Sequence, residues 1–152
     1  KELYGFLAPQ YPRWSRELEE RLVARLAVPR TTRFAALSRG EAAKAMLVAA
    51  LAPQPDLYLL DEAFGGLDAL VRDEMLAVFV EEAQLAHRAA LVVTHELDVA
   101  ARLADRVAVL NEGRITVSAD LEELAGAAES GALSRRLEAL LGDVVLEESG
   151  VA

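Results

Sequence analysis

Asp61 and Glu62 stand side by side at the end of an apolar run, Leu57-Tyr58-Leu59-Leu60. Prolines 53 and 55 precede the run, and Gly65-Gly66 follow it. A short apolar run between turn residues reads as a strand buried on both faces, as in parallel sheets. An unpaired charge in a core is very costly, so both acids are expected just past the strand's C-terminal end. That is the edge at which open α/β sheets bind ligands. One carboxylate there can hold Mg²⁺, directly or through water, and its neighbour can accept a proton from water. The plain alternative is a strand that stops at a solvated acidic turn.

Two further patterns flank this one. Ser38-Arg39-Gly40-Glu41 matches the S-x-x-E capping box, in which the serine caps a helix and the glutamate reaches back to the serine N–H. His95 ends a second apolar run, Ala90-Leu91-Val92-Val93-Thr94. His95-Glu96 is not a zinc-protease H-E-x-x-H, because Val99 stands where the second histidine is needed. Ser38 is not a hydrolase nucleophile elbow, because Ala36 replaces the first glycine of G-x-S-x-G.

The elements that must position these groups follow from periodicity. Residues 1–15, with Pro9, Pro12 and the aromatics Tyr4, Phe6, Tyr11 and Trp14, read as a helix end or loop. A helix capped near Ser15 carries Leu18, Leu22, Val23 and Leu26 on one face and runs to about Ala27, with Pro29 closing it. Residues 31–36 connect to the Ser38-capped helix, which stops before Pro53. Strand 57–60 leads through the turn 63–68 to a helix from about Asp68 to Ala86, with Leu70, Glu74/Met75, Val78 and Phe79 at helical spacing. Strand, helix and the strand at 90–94 form a βαβ unit, whose strands are expected to run parallel with a right-handed crossover. A short helix over 98–104, a strand over 106–110, a turn at Asn111-Glu112-Gly113-Arg114 and a return strand over 115–117 make a hairpin. Asp120 and Glu123 suggest another capping box, with one broken helix or two short ones to about residue 142 and a frayed end beyond.

The totals bound the reading. A chain of 152 residues, 53% of them hydrophobic, suits one domain with a sizeable core. With no cysteine, disulfides, thiolate metal sites and a cysteine nucleophile are excluded. The longest apolar run, Ala45 to Ala52, is far too short to span a bilayer, and no signal peptide is visible. The net charge of −9 argues against a nucleic-acid partner. Residues 1–40 hold eight basic and four acidic residues, a net +4, which leaves −13 on the remainder. The basic end either docks onto something or is simply solvated unevenly. Lys1 rather than Met opens the chain, so a processed product or a fragment is expected.

Taken in order, Leu37-Ser38-Arg39-Gly40-Glu41, then Leu59-Leu60-Asp61-Glu62-Ala63-Phe64-Gly65-Gly66-Leu67-Asp68, then Val92-Val93-Thr94-His95 resemble three motifs of ABC-transporter ATP-binding subunits. The first is similar to the LSGGQ signature, with Arg39 for the first glycine of the pair and Glu41 for the glutamine. The second is similar to Walker B, the adjacent glutamate and the D-loop. The third is similar to the switch histidine. Asp105-Arg106-Val107 to Gly113-Arg114-Ile115 follows the family's closing strand and hairpin, so the resemblance covers roughly residues 11–117. Tyr11-Pro12-Arg13-Trp14-Ser15 also resembles a segment that opens the helical subdomain in some ABC-2-type exporter ATPases.

The resemblance implies an α/β fold: the C-terminal part of a P-loop NTPase domain, a partly parallel sheet with flanking helices, a helical subdomain and a terminal β-hairpin. It implies a division into a helical signature subdomain (1–55), part of the ATPase core (56–118) and a C-terminal helical tail (119–152). The implied ligands are ATP and Mg²⁺. Asp61 would hold the metal, Glu62 would be the base, and His95 would link the γ-phosphate to Glu62. Leu37, Ser38, Arg39, Gly40 and Glu41 would meet ATP held by a second ATP-binding subunit, and Asp68 would contact that subunit. The implied setting is the cytoplasmic face of the membrane, beside a transmembrane permease subunit. Each role has a plainer counterpart: Ser38 as a cap only, Asp68 as the cap of the next helix, His95 as a satisfied structural side chain, Arg39 as a solvent-facing charge.

The family's glycine-rich phosphate loop with its lysine is not in this sequence. The lysines are Lys1 and Lys44, and Lys44 lies between two alanines. Gln10 is not assigned as the Q-loop glutamine. These 152 residues alone are therefore expected neither to bind ATP tightly nor to hydrolyse it. Two other readings stay open: a shortened, non-catalytic ABC-type interaction module, and a non-transport ABC ATPase, which the acidic charge does not favour.

Overall fold

The computed structural model describes residues 2–85 and 87–121. Contacts divide the chain into two compact units, Lys1–Thr94 and His95–Ala152.

The first unit opens with α1 (Glu2–Leu7) and a 3₁₀ turn at Ala8–Gln10. Next comes α2 (Arg16–Arg25), whose Ser15 cap accepts a hydrogen bond from the Leu18 N–H at 3.1 Å. It ends two residues before the expected Ala27, which takes a positive φ of 52°. Leu18, Leu22, Val23 and Leu26 are buried, as their spacing requires. The segment Tyr11 to Ser15 anchors this end of the unit. Trp14 lies near the rings of Tyr4 and Tyr11, its Nε1–H donates to Glu19 at 2.8 Å, and Arg13 forms a two-pronged ion pair with Asp56 at 2.9 and 3.0 Å. The buried Tyr4 hydroxyl donates to the Ala45 carbonyl at 3.1 Å, and burial pushes its pKa up.

A 3₁₀ turn at Phe34–Ala36 leads into α3 (Arg39–Leu51). Helix α3 packs against α2 and against α4 (Ala69–Leu85). Between α3 and α4 runs β1 (Leu57–Asp61), paired in parallel with β2 (Ala89–Val93), Leu59 opposite Leu91 and Asp61 opposite Val93. The βαβ arrangement is therefore as its periodicity predicts.

Burial of β1 departs from expectation. Tyr58 and Leu60 are buried, while Leu57 and Leu59 are 50% and 69% exposed. On β2, Leu91 and Val93 are 59% and 51% exposed. Strand residues alternate faces, and in this register these four side chains share one face. Only the opposite face is covered, with Tyr58 edge-on to Phe79 of α4 at 5.6 Å between ring centres. Nothing in the described residues covers the other face, so hydrophobicity alone overstated the burial. Leu70, expected on the buried side of α4, is 83% exposed, whereas Met75, Leu76, Val78 and Phe79 form its core face.

The second unit contains α5 (Leu97–Leu103) and the antiparallel pair β3 (Arg106–Asn111) and β4 (Arg114–Asp120). The hairpin turn uses φ of +44° at Glu112 and +79° at Gly113. A register shift after Val109 places Leu110 opposite Ile115. Leu121 is buried against Leu97, Ala101 and Val107. Asp120, expected as a helix cap, closes β4 and pairs with Arg106 at 2.8 Å. Glu123 and the tail helix over 120–142 lie outside the described residues from 122 onward.

Candidate functional site

The capping box at the start of α3 is complete. The Ser38 hydroxyl accepts from the Glu41 N–H at 3.2 Å, and the Glu41 carboxylate accepts from the Ser38 N–H at 2.8 Å. Hydrogen bonding from the Ser38 backbone N–H first, and from its hydroxyl second, holds the Glu41 carboxyl below the usual carboxylate range. The two bonds of the box leave the remaining N–H groups of the first turn for other partners.

At the other side of the corner, Asp61 is the last residue of β1 rather than the first beyond it, and it is exposed. Glu62 follows, also exposed, with φ of +48°. The left-handed region is uncommon for a residue with a Cβ and is held only when the surroundings fix it. Here the Glu62 N–H donates to the Val93 carbonyl at 2.9 Å, and the Glu62 carbonyl accepts from the Gly65 N–H at 3.1 Å. Phe64, 2% exposed, pins the middle of the turn beside Phe79, their ring centres 6.0 Å apart. Asp68 ends the turn by capping α4. Its carboxylate accepts from the Val71 N–H at 3.1 Å, which makes the plain reading of this aspartate a structural fact.

The two halves of the corner touch. The Arg39 guanidinium donates to the Gly65 carbonyl at 3.1 Å. A methyl group added at Gly40 would lie 3.5 Å from Val71 on the first turn of α4. Lys44 pairs with Glu74 at 2.5 Å, one turn further along both helices. The start of α3, Ser38 to Glu41, therefore meets the turn that runs from Glu62 to Asp68 and the first turn of α4. Leu37 sits partly buried just before the cap. His95 opens the second unit, exposed in the bend between β2 and α5.

Mg²⁺ is usually held by one or two carboxylates together with water and substrate phosphates. Asp61, exposed at a strand end, suits that mode. Among the described residues no group of three metal-ligating side chains forms a protein-only cage. A groove lined by Tyr11, Arg13, Pro53, Pro55, Leu57 and Leu59 includes neither acid.

Sequence reasoning missed the Arg39–Gly65 contact and the reason for the second glycine. Gly66 has φ of +63°, and a Cβ there would fall 2.3 Å from Arg39 Nη2. The paired glycines were the visible signal.

No family model matches the sequence. Among curated proteins, the chain is 45% identical over 112 residues to an aliphatic sulfonates import ATP-binding protein, SsuB 3, of Nocardia farcinica. That match covers 71% of the chain and 45% of the relative. Identity to the ABC transporter ATP-binding protein YtrB of Bacillus subtilis is 32% over 124 residues, covering 82% of the chain and 42% of the relative. A solved ATP-binding subunit of an ABC transporter superposes with a TM-score of 0.62 at 27% identity, over 81% of the chain and 56% of that structure. The chain belongs to the ABC-transporter ATP-binding family. It spans less than half the length of these two curated relatives. A dimeric bacterial ABC transporter cassette shares the fold, with a TM-score of 0.62 at 22% identity. The mixed α/β architecture, with its parallel pair and antiparallel hairpin, is thus that of part of an ABC ATPase domain.

Proposed function

We propose that this chain is the C-terminal part of the ATP-hydrolysing subunit of an ABC transporter. It works as a dimer with two ATP molecules between subunits and drives a separate transmembrane permease from the cytoplasmic face. The observation that carries this reading is the single corner that joins the capped start of α3 to the Glu62 turn through Arg39 and Gly65. In functional terms, residues 1–55 form the signature subdomain, 56–118 part of the ATPase core, and 119–152 a helical tail.

Glu62 orients the attacking water and takes its proton. General base action contributes roughly 10²–10⁴ in rate, or about 3–5 kcal/mol of barrier. The turn's hydrogen bonds and the buried Phe64 fix where that carboxylate begins, so its orientation costs little at the moment of reaction. Asp61 would hold Mg²⁺ through water, and the ion would supply charge neutralisation on the phosphates. Ser38, Gly40 and the α3 N-terminus bind the γ-phosphate of ATP carried by the opposite subunit, through free N–H groups and the helix dipole. Leu37 and Glu41 shape that turn, Asp68 meets the opposite subunit, and His95 bonds the γ-phosphate.

In the assembled ATPase, Glu62→Gln leaves ATP binding intact and abolishes turnover, as read by nucleotide binding and phosphate release on the same sample. Retained turnover removes Glu62 from the mechanism.

A second reading, a non-catalytic ABC-type module that pairs with a complete ATPase, is favoured by one observation. Lys44 is committed to Glu74 on α4 and stands on a helix rather than a glycine-rich loop, so it does not serve as a phosphate lysine. An upstream coding sequence with an in-frame phosphate loop supports the first reading. A start codon just before Lys1 supports the second. A non-transport ABC ATPase would need a basic nucleic-acid surface, which a net charge of −9 does not favour.

A further inference from the structure

Arg39 is the first residue of α3, and its backbone is clamped by the two bonds of the capping box on either side. Its guanidinium reaches 26 residues along the chain to donate to the Gly65 carbonyl at 3.1 Å. The same group fills the space that a side chain at Gly66 would need, with Nη2, Cζ and Nη1 lying 2.3, 2.8 and 2.8 Å from an ideal Cβ position. From Gly65 the connection continues. Its N–H donates to the Glu62 carbonyl at 3.1 Å, and the Glu62 N–H donates to the Val93 carbonyl at 2.9 Å. Successive hydrogen bonds thus link the start of α3 to Gly65, Gly65 to the left-handed backbone of Glu62, and Glu62 to β2.

We propose that Arg39 is a positioning residue: it latches the Glu62–Asp68 turn to the Ser38 helix start within one chain, so that the carboxylate and the capping serine move as one body. A residue without a donor at this position would leave the Gly65 carbonyl to water and the turn free to shift against α3. The Gly65 N–H is itself bonded to the Glu62 carbonyl, so a shift of Gly65 is passed mechanically to Glu62 and is not confined to Gly65. The glycine at 66 belongs to the same device, because φ of +63° disfavours a side chain there and the guanidinium occupies its space. The consequence for hydrolysis rests on the role proposed for Glu62; the latch itself does not.

The test is amide hydrogen exchange and ¹⁵N chemical shift on the 152-residue chain, which need no nucleotide. Arg39→Ala is expected to shift the Gly65 and Gly66 amide signals and to speed exchange at Gly65 about fivefold, the effect of one lost exposed hydrogen bond. Leu22 and Val23 amides, buried in α2, stay at their wild-type rates. Arg39→Lys restores part of the protection, since an ammonium keeps a donor but not the planar fork. Gly66→Ala evicts the guanidinium and gives the same pattern, and the double variant adds little to either single change. Wild-type shifts and exchange at Gly65 in Arg39→Ala overturn the latch. Should Gly66→Ala fail to fold, the Arg39 pair decides alone. In the assembled ATPase, Arg39→Ala then lowers kcat with KM for ATP unchanged. A confirmed latch beside an active Glu62→Gln enzyme sinks the role of Glu62 and leaves Arg39's in place.

Discussion

At Ser38 one duty of the hydroxyl is observed and a second is proposed, and their magnitudes separate them. As a cap it satisfies the Glu41 N–H, and losing such a bond costs about 1 kcal/mol of stability. Ser38→Ala is therefore expected to lower the unfolding free energy by about that much, read by urea titration. As a γ-phosphate ligand it also lowers turnover in the assembled ATPase beyond anything the lost stability explains. A loss of stability alone confines Ser38 to capping. Asp68 shows the same doubling, with its cap observed and its contact to a second subunit proposed. Glu62 differs from both, since its positive φ is not a requirement of any helix or strand. Its N–H and carbonyl are both bonded, and these bonds hold the carboxylate's starting point at the sheet edge.

Among the elements, α4 is tied to the rest of the first unit by more than its apolar face. Glu82 is 6% exposed, and both its oxygens accept from Arg21 of α2, at 2.7 and 3.0 Å. A carboxylate so deeply placed depends on its partner, because desolvation is offset only by that pairing. Arg21→Ala is expected to cost about 1–3 kcal/mol, the penalty of leaving a buried polar group unpaired. A thermal or urea midpoint checks it, and replacing both residues together with apolar ones recovers part of the loss. An unchanged midpoint in Arg21→Ala shows that water reaches Glu82. The β1–β2 pair has the opposite character. Its Leu57, Leu59, Leu91 and Val93 face is apolar and exposed, the kind of patch that marks an interaction surface or an aggregation liability.

Over the whole molecule, the part of an ABC ATPase domain present here holds the residue proposed as the base and the turn proposed as the signature, and its sequence has no glycine-rich phosphate loop. The 152 residues are accordingly expected to show no micromolar affinity for ATP by equilibrium dialysis. A measured micromolar affinity overturns that expectation and points to a phosphate site that the motifs do not describe. The charge divides as +4 over the first 40 residues against −13 beyond. No helix among the described residues is long and apolar enough to cross a membrane.

Patterns that act within a few residues were readable before any coordinates. The Ser15 and Ser38 caps depend on contacts three residues apart, the α2 face on a 3.6-residue period, and the hairpin on Gly113's freedom at positive φ. Parallel pairing of β1 with β2 followed from the length of the crossover between them. Tertiary structure alone decided which face of β1 is covered and that Leu70 stays in solvent. It also decided that Arg39 meets Gly65 and that Arg21 meets Glu82, 61 positions away. Local backbone preferences and short-range hydrogen bonds are properties of neighbouring residue types. Contacts between distant side chains, and the burial of a strand's second face, depend on how whole elements pack and on what is there to cover them.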